Sequence, residues 1–93
     1  MRWKLKIFRD GYWARKTTGL SAYIKHVCVW PEGPGYDVSY KGLTIARIRF
    51  ENKGATVRAL EMSRSFPEIS DLDLVEIALR ISKLRGTAAA SLN

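Results

Sequence analysis

The segment "LTIARIRFENKGATVRALEM", residues 43–62, decides the fold. Apolar and other residues alternate along 43–50, the period of a half-buried strand. Glu51-Asn52-Lys53-Gly54 interrupts the run with turn chemistry, and the alternation resumes over 55–60. A hairpin closed by residues 51–54 sets Phe50 against Ala55, Ile48 against Val57 and Ala46 against Ala59, which makes one apolar face. On the other face Arg47 opposes Arg58, with Arg49 next along the strand. Directly opposed like charges cost stability in a sheet. Three explanations stand side by side: the arginines are solvated, they pair with acidic residues such as Glu51 and Glu61, or they await an anionic partner.

Upstream, residues 2–16 read as another hairpin. "RWKLKIFR" puts Trp3, Leu5 and Ile7 on one side and Arg2, Lys4 and Lys6 on the other. With Asp10-Gly11 as a two-residue turn, Phe8 faces Trp13, Lys6 faces Arg15 and Ile7 faces Ala14. Lys4, Lys6, Arg15, Phe8 and Trp13 then share a face, and alternation alone leaves open whether that face is inside or outside. Residues 17–21 read as a loop and "AYIKHVCVW" (22–30) as a third strand. "PEGPG" (31–35) is a protruding loop, "YDVSY" (36–40) a short fourth strand and Lys41-Gly42 a turn.

The C-terminal third carries one helix, predicted over 71–85. Ser70 is its N-cap, Asp73 completes a capping box, and Ile69 staples to Leu74. Asp71 and Asp73 suit the positive end of the helix dipole, Lys83 and Arg85 the negative end, and Gly86 supplies the stop. On a helical wheel Asp73, Glu76, Arg80 and Lys83 form a polar arc. Leu74, Ile77, Ala78, Ile81 and Leu84 form one apolar side, and Leu72, Val75 and Leu79 another. That is more apolar surface than a single sheet face covers. Either a curved sheet wraps the helix, or part of it docks on a second chain, as in a homodimer through helix 71–85.

The expected fold is therefore α+β: an antiparallel sheet of five or six strands in meander order, packed against one C-terminal helix. Residues 1–86 form a single domain and 87–93 a flexible tail. Ninety-three residues suffice for one compact core. Cys28 is the only cysteine, which excludes an intrachain disulfide and suits a reducing cytosol. "MRWKLKIFRDG" lacks the apolar run of a signal peptide, and Val27 to Trp30 is too short to span a bilayer. The chain is expected to be cytoplasmic, with no membrane attachment.

The chemistry-bearing residues point away from catalysis. His26 and Cys28 share a strand face, but a buried thiol beside a half-buried imidazole is the common outcome of such spacing. "PEGPG" opens no helix and lacks the lysine of a phosphate loop. Asp10 and Asp37 read as turn or strand-edge residues. The reading is a non-enzyme without cofactor or metal. Sixteen Lys and Arg against nine Asp and Glu leave a formal charge of +7, which favours polyanionic partners. Arg47, Arg49 and Arg58 form one basic patch. Lys4, Lys6 and Arg15 form a second, with Trp13 or Phe8 as a stacking surface. Cations interleaved with aromatics suit nucleic acid. The competing expectation is a small regulator or inhibitor, adaptor-like or phage-type, that covers an acidic surface of a larger protein.

Overall fold

The computed structural model describes residues 2–27, 34–51 and 54–85, with Glu51 and Arg85 described in their backbone only. Six strands follow one another: β1 (Trp3–Phe8), β2 (Gly11–Lys16), β3 (Ser21–Val27), β4 (Gly35–Tyr40), β5 (Leu43–Glu51) and β6 (Gly54–Ala59). A short 3-10 helix, Glu61–Ser65, leads to helix α1 (Asp71–Arg85). The strands hydrogen-bond in chain order into one antiparallel meander, and the helix packs against it. This is the expected α+β architecture, with six strands. Residues 28–33, the turn residues 52–53, the stop at Gly86 and the tail 87–93 lie outside the described residues.

The β5–β6 register is the one expected. Phe50 pairs with Ala55, Ile48 with Val57, Ala46 with Ala59, and Arg47 with Arg58. The first hairpin differs. Its turn is Arg9-Asp10, so Phe8 pairs with Gly11, Ile7 with Tyr12, Lys6 with Trp13 and Lys4 with Arg15. Gly11 belongs to β2 because a Cβ there would fall on the Ile24 carbonyl oxygen, and only glycine permits that approach. The His26 N–H also donates to the Asp10 carbonyl at 2.8 Å, carrying the ladder to the turn. Every partner shifts by two residues. Side chains alternate with a period of two, so the faces keep their membership.

Lys41-Gly42 closes the β4–β5 hairpin with φ of 51° and 80°, the left-handed pair of a tight two-residue turn. Beyond it the ladder slips: Ser39 pairs with Thr44 but Val38 with Ala46. Ile45 is the extra residue of a β-bulge, and both it and Ala46 are fully buried. A bulge bends and twists its strand, and here the bend contributes to a strongly curled sheet. Helix α1 touches β6, β5 and β1, although β1 and β6 are the two edges of the sheet. Laid flat, six strands would be about 24 Å across, too wide for a helix about 10–12 Å thick to reach both edges. The sheet therefore wraps the helix, which fills the gap between its edges.

This wrapping settles which side is inside. Trp3, Ala14, Ile24, Val38 and Ile48 of the concave face are buried against Leu74, Ile77, Ala78 and Ile81. The polar arc of the helix is not solvated along its whole length. Asp73 is 5% exposed and Glu76 half-buried, because they face the β1 edge. The Trp3 N–H donates to Glu76 Oε2 at 2.8 Å, satisfying an edge group that would otherwise invite another strand. The capping box is present: the Asp73 N–H donates to Ser70 Oγ at 3.2 Å and the Ser70 N–H to Asp73 Oδ2 at 2.9 Å. Leu84, at the margin of the apolar stripe, is exposed, as are Leu72, Val75 and Leu79.

Candidate functional site on the outer face of the sheet

With Trp3 and Leu5 turned to the helix, the alternate residues of every strand point outward. Lys4, Lys6 and Phe8 of β1, Trp13 and Arg15 of β2, Arg47 and Arg49 of β5 and Arg58 of β6 all take outward positions. Phe8 is 46% and Trp13 40% exposed, whereas Trp3 is fully buried. The open question of which face is inside is thus answered in favour of an aromatic outer surface. The two basic groups occupy opposite halves of the meander, with β3 and β4 between them.

Three residues of those central strands join the halves, and sequence reading had not assigned them to the site. Gly11 pairs with Lys25, Lys25 with Asp37, Asp37 with Arg47 and Arg47 with Arg58. One cross-strand row therefore runs from Phe8 to Arg58. The next row carries Lys6, Trp13, Tyr23 and Ser39. Tyr23 and Lys25 were legible in principle: once Ala22 and Ile24 are taken as inward, their neighbours must be outward.

Asp37 corrects the expectation of a turn or strand-edge role. It lies mid-sheet on β4, and its Oδ1 stands 3.7 Å from Arg47 Nε. Burial pushes its carboxyl above the ordinary 3.8, against the pull of Arg47 and Lys25. The carboxylate beside Arg47 is thus on the strand opposite Arg58, and it offsets the like-charge pair from the other side. Among outward positions whose side chains are described, Asp37 is the one acid. The other charged side chains at described outward strand positions are cationic, and Asp10 adds an acid at the β1–β2 turn.

The aromatic residues form a ridge. The Trp13 and Tyr23 rings lie 6.1 Å apart, tilted by 43°. On one side a hollow of ≈ 460 Å³ is lined by Phe8, Arg9, Asp10 and the two rings. On the other, one of ≈ 690 Å³ includes Ser21, Ser39 and Lys41 in its wall. Lys6 Nζ sits 5.9 Å from the Phe8 ring centre, a cation–π contact.

Elsewhere the chemistry is sparse. The His26 ring lies 5.2 Å from that of Tyr36, and Cys28, two positions along the sequence, is outside the described residues. Among the described residues no three metal-capable side chains gather, and no helix is long and apolar enough to cross a membrane. No protein-family model, curated protein or solved structure matches this chain.

Proposed function

We propose that this chain is a non-catalytic binding domain whose outer sheet face takes nucleic acid. One observation carries the reading: Lys4, Lys6, Arg15, Lys25 and Arg58 share an outward surface with exposed Phe8 and Trp13, tempered by Asp37 on β4 and by Asp10 at the β1–β2 turn. Phosphates meet the cations and bases meet the rings, the combination that nucleic-acid surfaces use. A merely solubilising charge needs no aromatic residues beside it.

Binding to a mixed DNA and RNA pool should weaken steeply with salt. Each phosphate contact contributes about 0.7 (single strand) to 0.9 (duplex) to the slope of log K against log salt. Lys6→Gln/Arg58→Gln is expected to bind more weakly at every salt concentration and to flatten that slope by roughly 1.4–1.8. Absence of wild-type binding at low salt would overturn the reading.

A second variant works in the opposite direction. Asp37→Asn removes the described carboxylate from the cationic row while keeping its shape. Binding at low salt is expected to tighten several-fold, with the gain shrinking as salt screens the face. Unchanged affinity would mean that the ligand does not follow the Lys25–Arg47 row.

The regulator reading retains one supporting observation, the exposed stripe of Leu72, Val75 and Leu79 on α1. It is apolar, faces away from the sheet, and would suit a protein partner or a second copy of this chain. The salt series separates the two readings, since contacts of that kind survive moderate salt.

A further inference from the structure

We infer that the nucleic acid taken by the outer face is single-stranded, its bases stacking on the Trp13–Tyr23 ridge and its phosphates following Lys25 towards Arg58. The inference rests on the nucleic-acid reading and adds to it the form of the ligand and the path it takes.

The aromatic geometry points this way. Trp13 and Tyr23 are directly paired on neighbouring strands, yet their planes are tilted by 43°. The pair offers ring surface to a hollow on either side. Both hollows, ≈ 460 and ≈ 690 Å³, are open to the surface, so a flat base can reach the rings without the protein opening. Phe8 also lines the first hollow, so a base laid there meets a third ring besides Trp13 and Tyr23. Ser21 and Ser39 bring hydroxyls to the second, where they can bond to base edges.

An undistorted duplex makes little use of this arrangement. Its bases are already stacked on one another, and only phosphates and groove edges remain to be touched. Reading the major-groove edges takes a helix or a two-stranded ribbon that fits a groove about 12 Å wide, and a sheet that reads the minor groove must kink the duplex around itself. The face in question is the broad side of a curled six-stranded sheet, on a body measuring 31 × 30 × 25 Å. Unstacked bases, by contrast, present the flat surfaces that exposed rings match, whatever their sequence.

The electrostatic row starts beside the ridge and leads away from it. Lys25 flanks Tyr23 two residues along β3, and the ladder continues through Asp37 and Arg47 to Arg58. Lys6 pairs with Trp13 and Arg15 lies two residues along β2 from it, so a strand whose bases lie on the ridge has Lys6, Arg15 and Lys25 alongside and Arg58 further along its path. Asp37 interrupts that row, and with it the surface most attractive to a polyanion.

The test is fluorescence anisotropy with a labelled oligothymidylate, free or annealed to its complement, at one salt concentration. The single strand is expected to bind at least about tenfold tighter than the duplex. Trp13→Ala and Tyr23→Ala should each weaken single-strand binding by about fivefold to a hundredfold, the range found for a lost stacking platform. Duplex binding and the salt slope should stay near wild type. Trp13→Phe, which keeps a ring, should restore most of the loss, and circular dichroism checks that each variant is folded. Equal or tighter duplex binding overturns the inference and leaves the nucleic-acid reading standing. So does single-strand binding indifferent to both alanine variants while Lys6→Gln/Arg58→Gln still weakens it. Failure to bind either form removes both.

Discussion

Trp3→Ala is expected to bring the domain close to global unfolding at room temperature. Trp3 is fully buried and among the largest side chains in the core, and it sits on β1, an edge of the sheet. Truncating a buried tryptophan costs about 3–5 kcal/mol, from lost transfer energy and the cavity left behind. A domain of this size has roughly 5–15 kcal/mol in all. The change also removes the indole N–H that donates to Asp73 Oδ1 at 3.0 Å, so the loss reaches the start of the helix. Trp3→Phe keeps most of the apolar volume and loses that donor, and should cost much less. Urea unfolding followed by far-ultraviolet circular dichroism reads both. A loss below about 1.5 kcal/mol for Trp3→Ala would show that the β1–helix seam is not what holds the sheet curled.

The second large effect is at Asp73, where sheet edge and helix start share one carboxylate. It accepts from the Trp3 indole and the Ser70 N–H, and pairs with Lys16 at 3.0 Å. The Lys16 side chain is only 11% exposed. Asp73→Ala leaves a nearly buried ammonium and two N–H donors without this acceptor, and breaking a buried pair from one side costs about 3–5 kcal/mol. Lys16→Met should cost less in the Asp73→Ala background than in wild type, because the stranded charge is then gone. A double-mutant cycle measures that coupling.

The same carboxylate makes a pH prediction. Burial would raise the Asp73 carboxyl, but hydrogen bonds from the Ser70 N–H, Trp3 and Lys16, with the Lys16 charge, hold it below the ordinary 3.8. A lowered folded value means that the unfolded chain takes up the proton first. The associated stability is present above about pH 4 and is lost as pH falls through the folded value. Asp37, with its raised carboxyl, acts in the opposite sense. The difference between wild type and Asp73→Ala across the acid range therefore isolates Asp73. The gap should narrow on acidification.

The proposed binding face depends on this seam indirectly. The helix packed on β1, β5 and β6 buries the sheet face that carries Trp3, and that leaves Phe8 and Trp13 facing out. The outer surface is the remainder left by that choice, which is why its residues could be grouped before anyone could say whether the group was core or surface. The register error in the first hairpin shows how robust the grouping is. Gly11 lies in β2 and not in the turn, because of an approach to Ile24 that belongs to a different hairpin. The partners moved by two residues and the faces did not change.

Local pattern in the sequence determined the strands, the β5–β6 register, the capping box and the helix limits at the N-terminal side, because each depends on residues close along the chain. It also determined that Arg47, Arg49 and Arg58 lie together, and likewise Lys4, Lys6 and Arg15. Tertiary structure alone decided the rest. The bulge at Ile45 and the wrapping of the sheet arise from packing between elements far apart in sequence. Asp73 and Glu76 read as part of a polar arc on a helical wheel, yet they meet β1 across seventy residues or more. Asp37, Tyr23 and Lys25 enter the candidate site only when β3 and β4 are set between the two basic patches. Periodicity records which residues share a side, whereas the burial that chooses between sides is a property of the assembled fold.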